Sequence, residues 1–296
     1  MSAGSIPFSQ RLFDIVNIVA LLLFGAIVIY PFLNLLALSF NDGADAARGG
    51  IYIFPRVFSL DAYTLLFQND KLLAGFGWSV LRVIVGTSTS LFVTGLLAYI
   101  VNIRHFSGRK FMRVLFLMTM YFNGGLIPVY LLMVRLGLTD SFNVYWIPSL
   151  ISAYFMLLMA SYIGGLPDAL FESARMDGAN EMTIYIKLVI PMSLPVFAAI
   201  FIYSAVGHWN SWFDVILYNS SGNFDTLQVY LRRLLLEVEA SQQIMDQQLL
   251  YQKYNSLSPL TLRAATTIVV TLPILFVYPF LQKYFIGGLT IGSVKG

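Results

Sequence analysis

The residues that could do chemistry in this chain are concentrated in one polar stretch, residues 167–187, between two long apolar segments. The stretch carries Glu172 and Arg175 within one helical turn of each other. Three apolar residues recur there at three- and four-residue spacing: Leu170, Phe171 and Ala174. A helix would place these three on one face, with the charged residues beside it. Such a surface is suited to binding a soluble protein partner, so the pattern indicates protein–protein recognition.

Two short helices are predicted within this stretch. Pro167 and Asp168 begin the first, because proline fits a first helical turn and Asp168 can accept hydrogen bonds from free backbone N–H groups. Gly178 ends it, since glycine readily takes the left-handed conformation that a helix end often needs. Asn180 can cap a second short helix, and Pro191 then leads into the next apolar segment.

The sequence lacks the residues that several other kinds of chemistry need. The chain has no cysteine and two histidines, which excludes disulfides and thiol catalysis and gives little basis for a metal site. Paired carboxylates and nucleophile–base sets near the apolar segments are also missing, which argues against a membrane-embedded enzyme. No Gly-x-x-x-x-Gly-Lys-[Ser/Thr] sequence occurs, so no bound cofactor is predicted in this chain. The net charge of +3 is too small to indicate nucleic acid.

The composition is that of a membrane protein. Of the 296 residues, 58% are hydrophobic and 11% are charged, against about 25% charged in soluble domains. Six windows contain no Asp, Glu, Lys or Arg: 15–41, 83–103, 114–134, 141–167, 188–213 and 264–282. A bilayer-spanning helix needs ~20 apolar residues, and lipid surrounds such helices. The predicted fold class is therefore an all-α integral membrane protein with six transmembrane helices.

The predicted boundaries treat residues 1–296 as one transmembrane domain. Its six helices are placed at about 15–41, 76–103, 112–135, 141–165, 188–213 and 264–284. The remaining segments are a loop at 167–187, an external loop at 216–262 and a tail at 285–296. The tail is expected to be flexible because four of its last ten residues are glycine. Pro31 is expected to kink the first helix without ending it.

Orientation follows from the short loops, where Lys and Arg prefer the cytoplasm. The loop after the second helix carries four basic residues: Arg104, Arg109, Lys110 and Arg113. The loop after the third helix carries only Arg135 at its edge. Placing the first of these loops inside puts both termini and the 167–187 loop in the cytoplasm.

The external loops have patterns of their own. A short strand is predicted at 50–55 and a short helix at 60–67. Residues 227–238 repeat apolar side chains at helical spacing with charges opposite, which predicts an amphipathic helix. That helix could lie on the lipid surface or face an external partner.

Candidate residues for a transport pathway lie near two membrane segments. Asn123 precedes two glycines inside the third helix, and a polar break at that depth usually faces a bundle interior or a wet cavity. Trp209, Asn210 and Trp212 end the fifth helix. Tryptophans there often form an interfacial belt. Alternatively, their rings could stack on a sugar, with Asn210 and Asp214 bonding its hydroxyls.

The polar stretch resembles the "EAA" loop of ABC-importer permeases, which reads Glu-Ala-Ala, three residues, Gly, nine residues, then Ile-x-Leu-Pro. Glu172, Ala174, Gly178 and Pro191 occupy that register. The departures are conservative: Ser173 replaces the second residue, Leu188 replaces Ile, and Ile190 replaces Leu. An ordinary cytoplasmic turn between two membrane helices is the alternative interpretation.

The resemblance extends over most of the chain, through the His-Trp-Asn-Ser-Trp run at 208–212 and the Tyr-Pro-Phe sequence at 278–280. It is similar to carbohydrate-import permeases, and more narrowly to the smaller permease of the maltose-type heterodimer. Within that set, it is most similar to importers of oligosaccharides from polysaccharide breakdown, including uronate-containing ones. The resemblance implies a type I ABC-importer permease architecture, with residues 167–187 as a coupling-helix loop in a bacterial cytoplasmic (inner) membrane.

The resemblance also implies partners. A second permease would complete the pathway, two cytoplasmic ATPase subunits would bind Mg-ATP and hydrolyse it, and an extracytoplasmic solute-binding protein would deliver the sugar. Glu172 would pair with a basic ATPase residue, Gly178 would permit the turn, and Pro191 would fix the start of the fifth helix. The terminal tail would reach the interface of the ATPase pair.

Two further interpretations concern the solute. A self-contained secondary transporter or channel for a small polar solute is the alternative function, but such proteins usually carry ionisable residues inside the membrane, and the six windows have none. We also expect the charge of the sugar to be read outside this chain, largely by the binding protein. Arg82, Arg135 and Arg263 would lie near the outer face and attract anionic sugars by steering.

Overall fold

A computed structural model describes residues 8–68, 70–244 and 258–292. The chain divides into two compact units, residues 1–69 with 233–272 and residues 70–232 with 273–296. The prediction of a single membrane domain stays a prediction. Unit 2, defined as residues 70–232 with 273–296, contains the polar stretch 167–187 and the residues of this chain that contact it.

The described residues are almost entirely helical. The helices are α1 (Phe8–Ser39), α2 (Gly43–Ala46), α3 (Asp61–Phe67), α4 (Asp70–Ile100), α5 (Arg109–Tyr121), α6 (Leu126–Arg135), α7 (Ala153–Ile163), α8 (Asp168–Met176), α9 (Glu181–Ile184), α10 (Ile190–Met192), α11 (Leu194–Asn210), α12 (Phe213–Tyr218), α13 (Leu227–Ile244) and α14 (Pro259–Gly292). Two 3₁₀ turns, Phe142–Tyr145 and Ile147–Ser149, precede α7. One π-helical turn, Tyr185–Val189, joins α9 to α10.

Six membrane spans fit these helices, as the sequence predicts. Three are single helices, Ser9–Ser39, Asp70–Ile100 and Pro259–Val277. The other three are bent pairs of helical segments with a short break between them. The all-α fold class is confirmed, but the prediction of unbroken helices at 112–135, 141–165 and 188–213 is wrong.

The breaks have local causes. The chain bends by 117° between α5 and α6, where Gly125 has φ +85°, a left-handed conformation that favours glycine. It bends by 85° between the segment ending at Met192 and α11. Pro191 does not start the fifth span as a straight helix. The long helix begins at Leu194, with Pro195 in its first turn, where proline is tolerated.

The core of unit 2 lies where α4 meets α7, the π-helical turn and α11. Tyr185 is fully buried there, and its hydroxyl donates to the Phe92 carbonyl over 2.8 Å. Gly95 makes this approach possible, because a Cβ at that position would lie 2.6 Å from the Tyr185 hydroxyl and 2.7 Å from Phe197. A small residue on α4 therefore sets how closely these elements pack.

Predictions for the loops and the tail had mixed outcomes. Helix α3 confirms the short helix predicted at 60–67. Helix α13 confirms the amphipathic helix predicted at 227–238. The strand at 50–55 is wrong, since among the described residues the segment forms no ladder and Asn34 instead donates to the carbonyls of Ile51 and Tyr52. Helix α1 continues through Pro31. The flexible tail is wrong over 285–292, where α14 continues, and residues 293–296 lie outside the described part.

Candidate functional site

The polar stretch forms the helix–turn–helix that its sequence predicts. Helix α8 ends at Met176, and Gly178 has φ +80°. The Gly178 N–H donates to the Arg175 carbonyl over 3.0 Å. The Asn180 side chain caps α9 by accepting from the Thr183 N–H over 2.8 Å. These two residues close one helix and open the next, as the sequence predicts.

Helix α8 has a packed face and an open face. Phe171 and Ala174 pack against the core of unit 2, and the Phe171 ring lies 6.1 Å from the ring of Tyr99. Glu172 and Ser173 are exposed on the other side. Met176 continues that side and is 88% exposed. A carboxylate, a hydroxyl and an apolar side chain therefore share one open surface, which we call the coupling face: Glu172, Ser173 and Met176.

The second half of the motif has a different environment. Leu188 and Ile190 are half-buried and pack against the core of unit 2. Pro191 is exposed. Leu188 belongs to the π-helical turn, a rare geometry that is frequent at functional sites. The two apolar motif residues thus anchor the segment instead of offering it to a partner.

Ion pairs fasten α8 to its neighbours. Asp168 pairs with Arg104 in the loop after α4, so its carboxylate does not serve mainly to cap α8. At the other end, Arg175 Nε donates to Glu181 Oε1 over 3.0 Å, and this hydrogen bond raises the pKa of Arg175. Glu181 also accepts from the Tyr99 hydroxyl of α4.

Sequence reasoning did not find the roles of Glu181 and Tyr99. Arg175 and Glu181 are six residues apart on opposite sides of the Gly178 turn, and the only local signal for them was their opposite charge. Tyr99 is 82 residues from Glu181, so its participation depends on the tertiary fold.

A second feature of unit 2 is a cavity of about 510 Å³ between α4, α11 and the turns before α7. Its hydroxyl-bearing lining residues are Ser90, Tyr145, Ser149, Ser152, Tyr203, Ser204, Ser211 and Tyr218. Arg82, His208 and Asp214 also line it. Cavities of ~300–1,000 Å³ hold small-molecule ligands in many proteins. The described residues provide no group of three metal-ligating side chains.

The predicted pathway residues are not among the residues that line this cavity. Asn123 Oδ1 accepts from the Gly125 N–H over 2.9 Å, so it stabilises the break between α5 and α6. Trp209 is buried edge-on against Phe76, with ring centroids 5.9 Å apart. Asn210 accepts from Gln228 over 3.3 Å.

Trp212 is 36% exposed, and the guanidinium of Arg232 lies 3.9 Å from the centre of its ring. That cation covers one ring face. A sugar-stacking role for Trp212 stays a prediction. The neighbouring residues Gly207, His208, Ser211, Phe213 and Asp214 line the cavity.

The prediction that Arg82 attracts anionic sugars by steering is wrong because its side chain is buried, and its place near the outer face stays a prediction. Its side chain is buried within the α4 span, where it pairs with Asp214 and lies 4.9 Å from the Tyr145 ring centre. An ionisable residue inside a span is costly and usually functional. Sequence reasoning missed it because Arg82 directly precedes a charge-free window, while α4 begins twelve residues earlier, at Asp70.

The described residues form a helical fold with up to six candidate membrane spans, and the capped helix–turn–helix of α8 and α9 lies between the fourth and the fifth. Residues 92–290 match the family described as "Binding-protein-dependent transport system inner membrane component". The chain belongs to this family, so it is a permease component of an ABC importer and the type I permease fold is confirmed.

Relatives and a solved structure agree with this assignment. The chain is 36% identical over 290 residues to "Polygalacturonan/rhamnogalacturonan transport system permease protein YtcP" of Bacillus subtilis (strain 168), covering 97% of this chain and 99% of that protein. It is 37% identical over 287 residues to "Protein LplC" of the same organism, covering 97% and 96%.

The solved structure is titled "Crystal structure of a bacterial ABC transporter involved in the import of the acidic polysaccharide alginate". It matches with a TM-score of 0.87 and 28% identity over 96% of this chain and all of the matched chain.

Proposed function

We propose that this chain forms, with a second permease, the membrane pathway for an oligosaccharide that is neutral or acidic. Two cytoplasmic ATPase subunits power the cycle, and an extracytoplasmic binding protein delivers the sugar. Two relatives support a carbohydrate solute: one transports polygalacturonan or rhamnogalacturonan, and one belongs to an alginate importer. The hydroxyl-lined cavity has a suitable size and chemistry for a sugar.

The coupling face is the observation that carries the proposal. Glu172, Ser173 and Met176 are exposed on a helix whose opposite side is packed against the core. An exposed methionine next to a carboxylate provides apolar contact area and a charge partner for a protein surface. In the proposed complex, Glu172 pairs with a basic ATPase residue and Met176 fills an apolar pocket.

The proposed cycle is a switch between two conformations. Mg-ATP closes the ATPase pair, α8 moves with it, and the permeases pass from an inward-facing to an outward-facing state. The contacts of α8 with Arg104 and Glu181 would carry this movement to α4. Hydrolysis of ATP belongs to the partner subunits, and this chain supplies the pathway and the coupling surface.

The proposed orientation places both termini and α8 in the cytoplasm of a bacterial cell. It follows from four basic residues in the loop after α4, since Lys and Arg of short loops prefer the cytoplasmic side. This orientation puts the coupling face where a cytoplasmic ATPase can reach it.

The experiment that tests the proposal is a pull-down of the chain from native membranes in mild detergent, followed by an ATPase assay. We expect recovery of a second permease and an ATPase, with hydrolysis stimulated by oligosaccharide-loaded binding protein. A chain that purifies alone and transports without ATP would overturn the proposal in favour of a secondary transporter.

A further inference from the structure

The cavity of unit 2 contains an internal ion pair. Arg82 and Asp214 are the only Lys, Arg, Asp or Glu among its described lining residues. Arg82 Nη1 lies 3.3 Å from Asp214 Oδ1, and Arg82 Nη2 contacts the other carboxylate oxygen. The pair leaves no formal excess charge from these two side chains at neutral pH. A ligand carboxylate would find no uncompensated cation there.

The two partners are not equally accessible. The Arg82 side chain is 4% exposed and the Asp214 side chain is 26% exposed. Arg82 therefore lies behind the carboxylate, with its guanidinium over the Tyr145 ring, and Asp214 is the charged group that a ligand in the cavity would meet. A carboxylate that already holds an arginine can still accept hydrogen bonds on its remaining lone pairs.

Two residues close to Asp214 in the sequence hold its carboxylate in position. Its Oδ1 accepts from the Ser211 hydroxyl over 2.7 Å and from the Val215 N–H over 3.0 Å. These bonds orient the carboxylate independently of Arg82. Positioned acceptors with restricted side chains give specificity to a polar ligand site, because little ordering is needed when the ligand binds.

The lining around Asp214 combines hydroxyl-bearing side chains with apolar ones such as Val144, Phe155 and Phe213. Ser204 on α11 lines the cavity together with three more serines and three tyrosines besides Ser211: Ser90, Ser149, Ser152, Tyr145, Tyr203 and Tyr218. Hydroxyls both donate and accept, so they match the hydroxyls of a sugar ring. A charged carboxylate lining such a surface attracts donors and repels another carboxylate.

We propose that Asp214 is a specificity-determining residue for the transported sugar, which accepts a hydrogen bond from a ring hydroxyl and excludes a ligand carboxylate from this point of the cavity. Arg82 pairs with Asp214, so these two side chains together carry no net formal charge. An acidic oligosaccharide therefore passes with its hydroxyl-bearing side toward Asp214, and its carboxylates are recognised elsewhere in the importer. This inference rests on the proposed function, since it presumes a sugar in the pathway.

The test compares two probes with the same sugar backbone, trigalacturonate and its fully methyl-esterified form, in which neutral methyl esters replace the three carboxylates. The wild-type importer, with its second permease, ATPases and binding protein, is reconstituted in vesicles, and initial uptake of each probe is measured. Asp214→Asn removes the carboxylate and leaves the charge of Arg82 uncompensated, so the acid-to-ester uptake ratio should rise on the order of tenfold relative to wild type. Because both importers use the same binding protein, its own preference cancels in this comparison.

The matched control is Asp225→Asn. Asp225 also lies in unit 2 and accepts from Asn219 over 2.9 Å, but it does not line the cavity. Its acid-to-ester ratio should equal that of wild type. An unchanged ratio in Asp214→Asn, or an equal rise in both variants, would overturn the inference.

A second pair of variants guards against a folding defect in Asp214→Asn. Ser204→Asp adds a negative charge to the cavity and should lower the acid-to-ester ratio on the order of tenfold. Ser204→Asn has a similar size without the charge and should leave the ratio unchanged. Equal ratios in these two variants would overturn the inference. Failure of the proposed function looks different, because wild-type vesicles would then show no ATP-dependent uptake of these probes or of any other oligosaccharide that the binding protein carries.

Discussion

Arg175 Nε lies 3.0 Å from Glu181 Oε1, and this ion pair closes the Gly178 turn between α8 and α9. Glu181 also accepts from the Tyr99 hydroxyl, so Arg175, Glu181 and Tyr99 connect α8 to α4. Helix α4 also carries Arg82, which lines the cavity of unit 2. One helix therefore extends from the contact with α8 to the cavity. The connection suggests how a movement of α8 reaches the sugar pathway.

Glu181→Gln should uncouple ATP hydrolysis from transport. The amide cannot form the ion pair with Arg175, although it can still accept a hydrogen bond from Tyr99. Since the pair is partly exposed, the free energy of unfolding should fall by less than about 1 kcal/mol. We expect the amount of sugar transported per ATP to fall several-fold, as measured in vesicles containing the complete importer.

The matched control for this prediction is Asp168→Asn, which weakens the more exposed pair with Arg104. It should reduce the transport-to-hydrolysis ratio less than Glu181→Gln does. If Glu181→Gln transports as much sugar per ATP as the wild type, the ion pair between Arg175 and Glu181 has no part in coupling.

Gly178→Pro should leave membrane insertion intact and abolish coupled transport. Proline fixes φ near −65°, whereas Gly178 has φ +80°, and proline also lacks the N–H that donates to Arg175. Uptake and sugar-stimulated ATPase activity provide the measurement. Wild-type uptake by this variant would contradict the assignment of residues 167–187 as the coupling loop.

Gly178→Ala is the graded companion of the proline variant. A Cβ at this position meets nothing within 4 Å, so its only cost is the left-handed conformation, about 1–2 kcal/mol. Uptake should therefore fall partially, to a level between those of wild type and Gly178→Pro.

Met176→Ala should weaken ATPase binding without lowering the stability of the chain. The side chain is 88% exposed, so its removal costs the isolated permease almost nothing, while the loss of an interface anchor costs more than about 1 kcal/mol. The retention of ATPase during purification would measure this effect. The control is Met182→Ala, which removes a 44% exposed methionine from α9. Equal retention by both variants would show that the coupling face is not the ATPase contact.

Gly86→Ala should destabilise the contact between α4 and α11. A Cβ there would lie 2.6 Å from two atoms of the buried His208 ring, and overpacking of this kind costs about 1–3 kcal/mol. Gly77 lies on the same helix with nothing within 4 Å of its Cβ position, so Gly77→Ala should not destabilise. Thermal unfolding in detergent measures both. Restoration of Gly86→Ala by His208→Ala would identify the clash, and its absence would refute it.

The sequence was informative wherever short-range chemistry determines structure. Gly178 and Asn180 act on their own backbone neighbourhood, so residue type and spacing predicted the turn and the cap. The contact of Arg82 with Asp214 spans 132 residues, and only the packing of α4 beside the end of α11 brings them together. For the same reason the contact between Glu181 and Tyr99, which are 82 residues apart, could not be predicted from the sequence.

Bends in the spans were also beyond the sequence analysis. The length of a charge-free window shows that an apolar segment can span the membrane, but it does not show whether the helix axis bends within that segment. The glycines before α6 and the proline at the start of α11 were visible as helix-weakening residues. Their effect, bends of 117° and 85°, depends on the helices that pack on either side.

The most direct test of the account is ATP-driven uptake by purified components. The chain, its second permease and the ATPases are reconstituted in vesicles with ATP inside and sugar-loaded binding protein outside. Accumulation of an oligosaccharide that requires both ATP and the binding protein, and that Gly178→Pro abolishes, is the result we predict. Uptake that continues without ATP or binding protein would contradict the account.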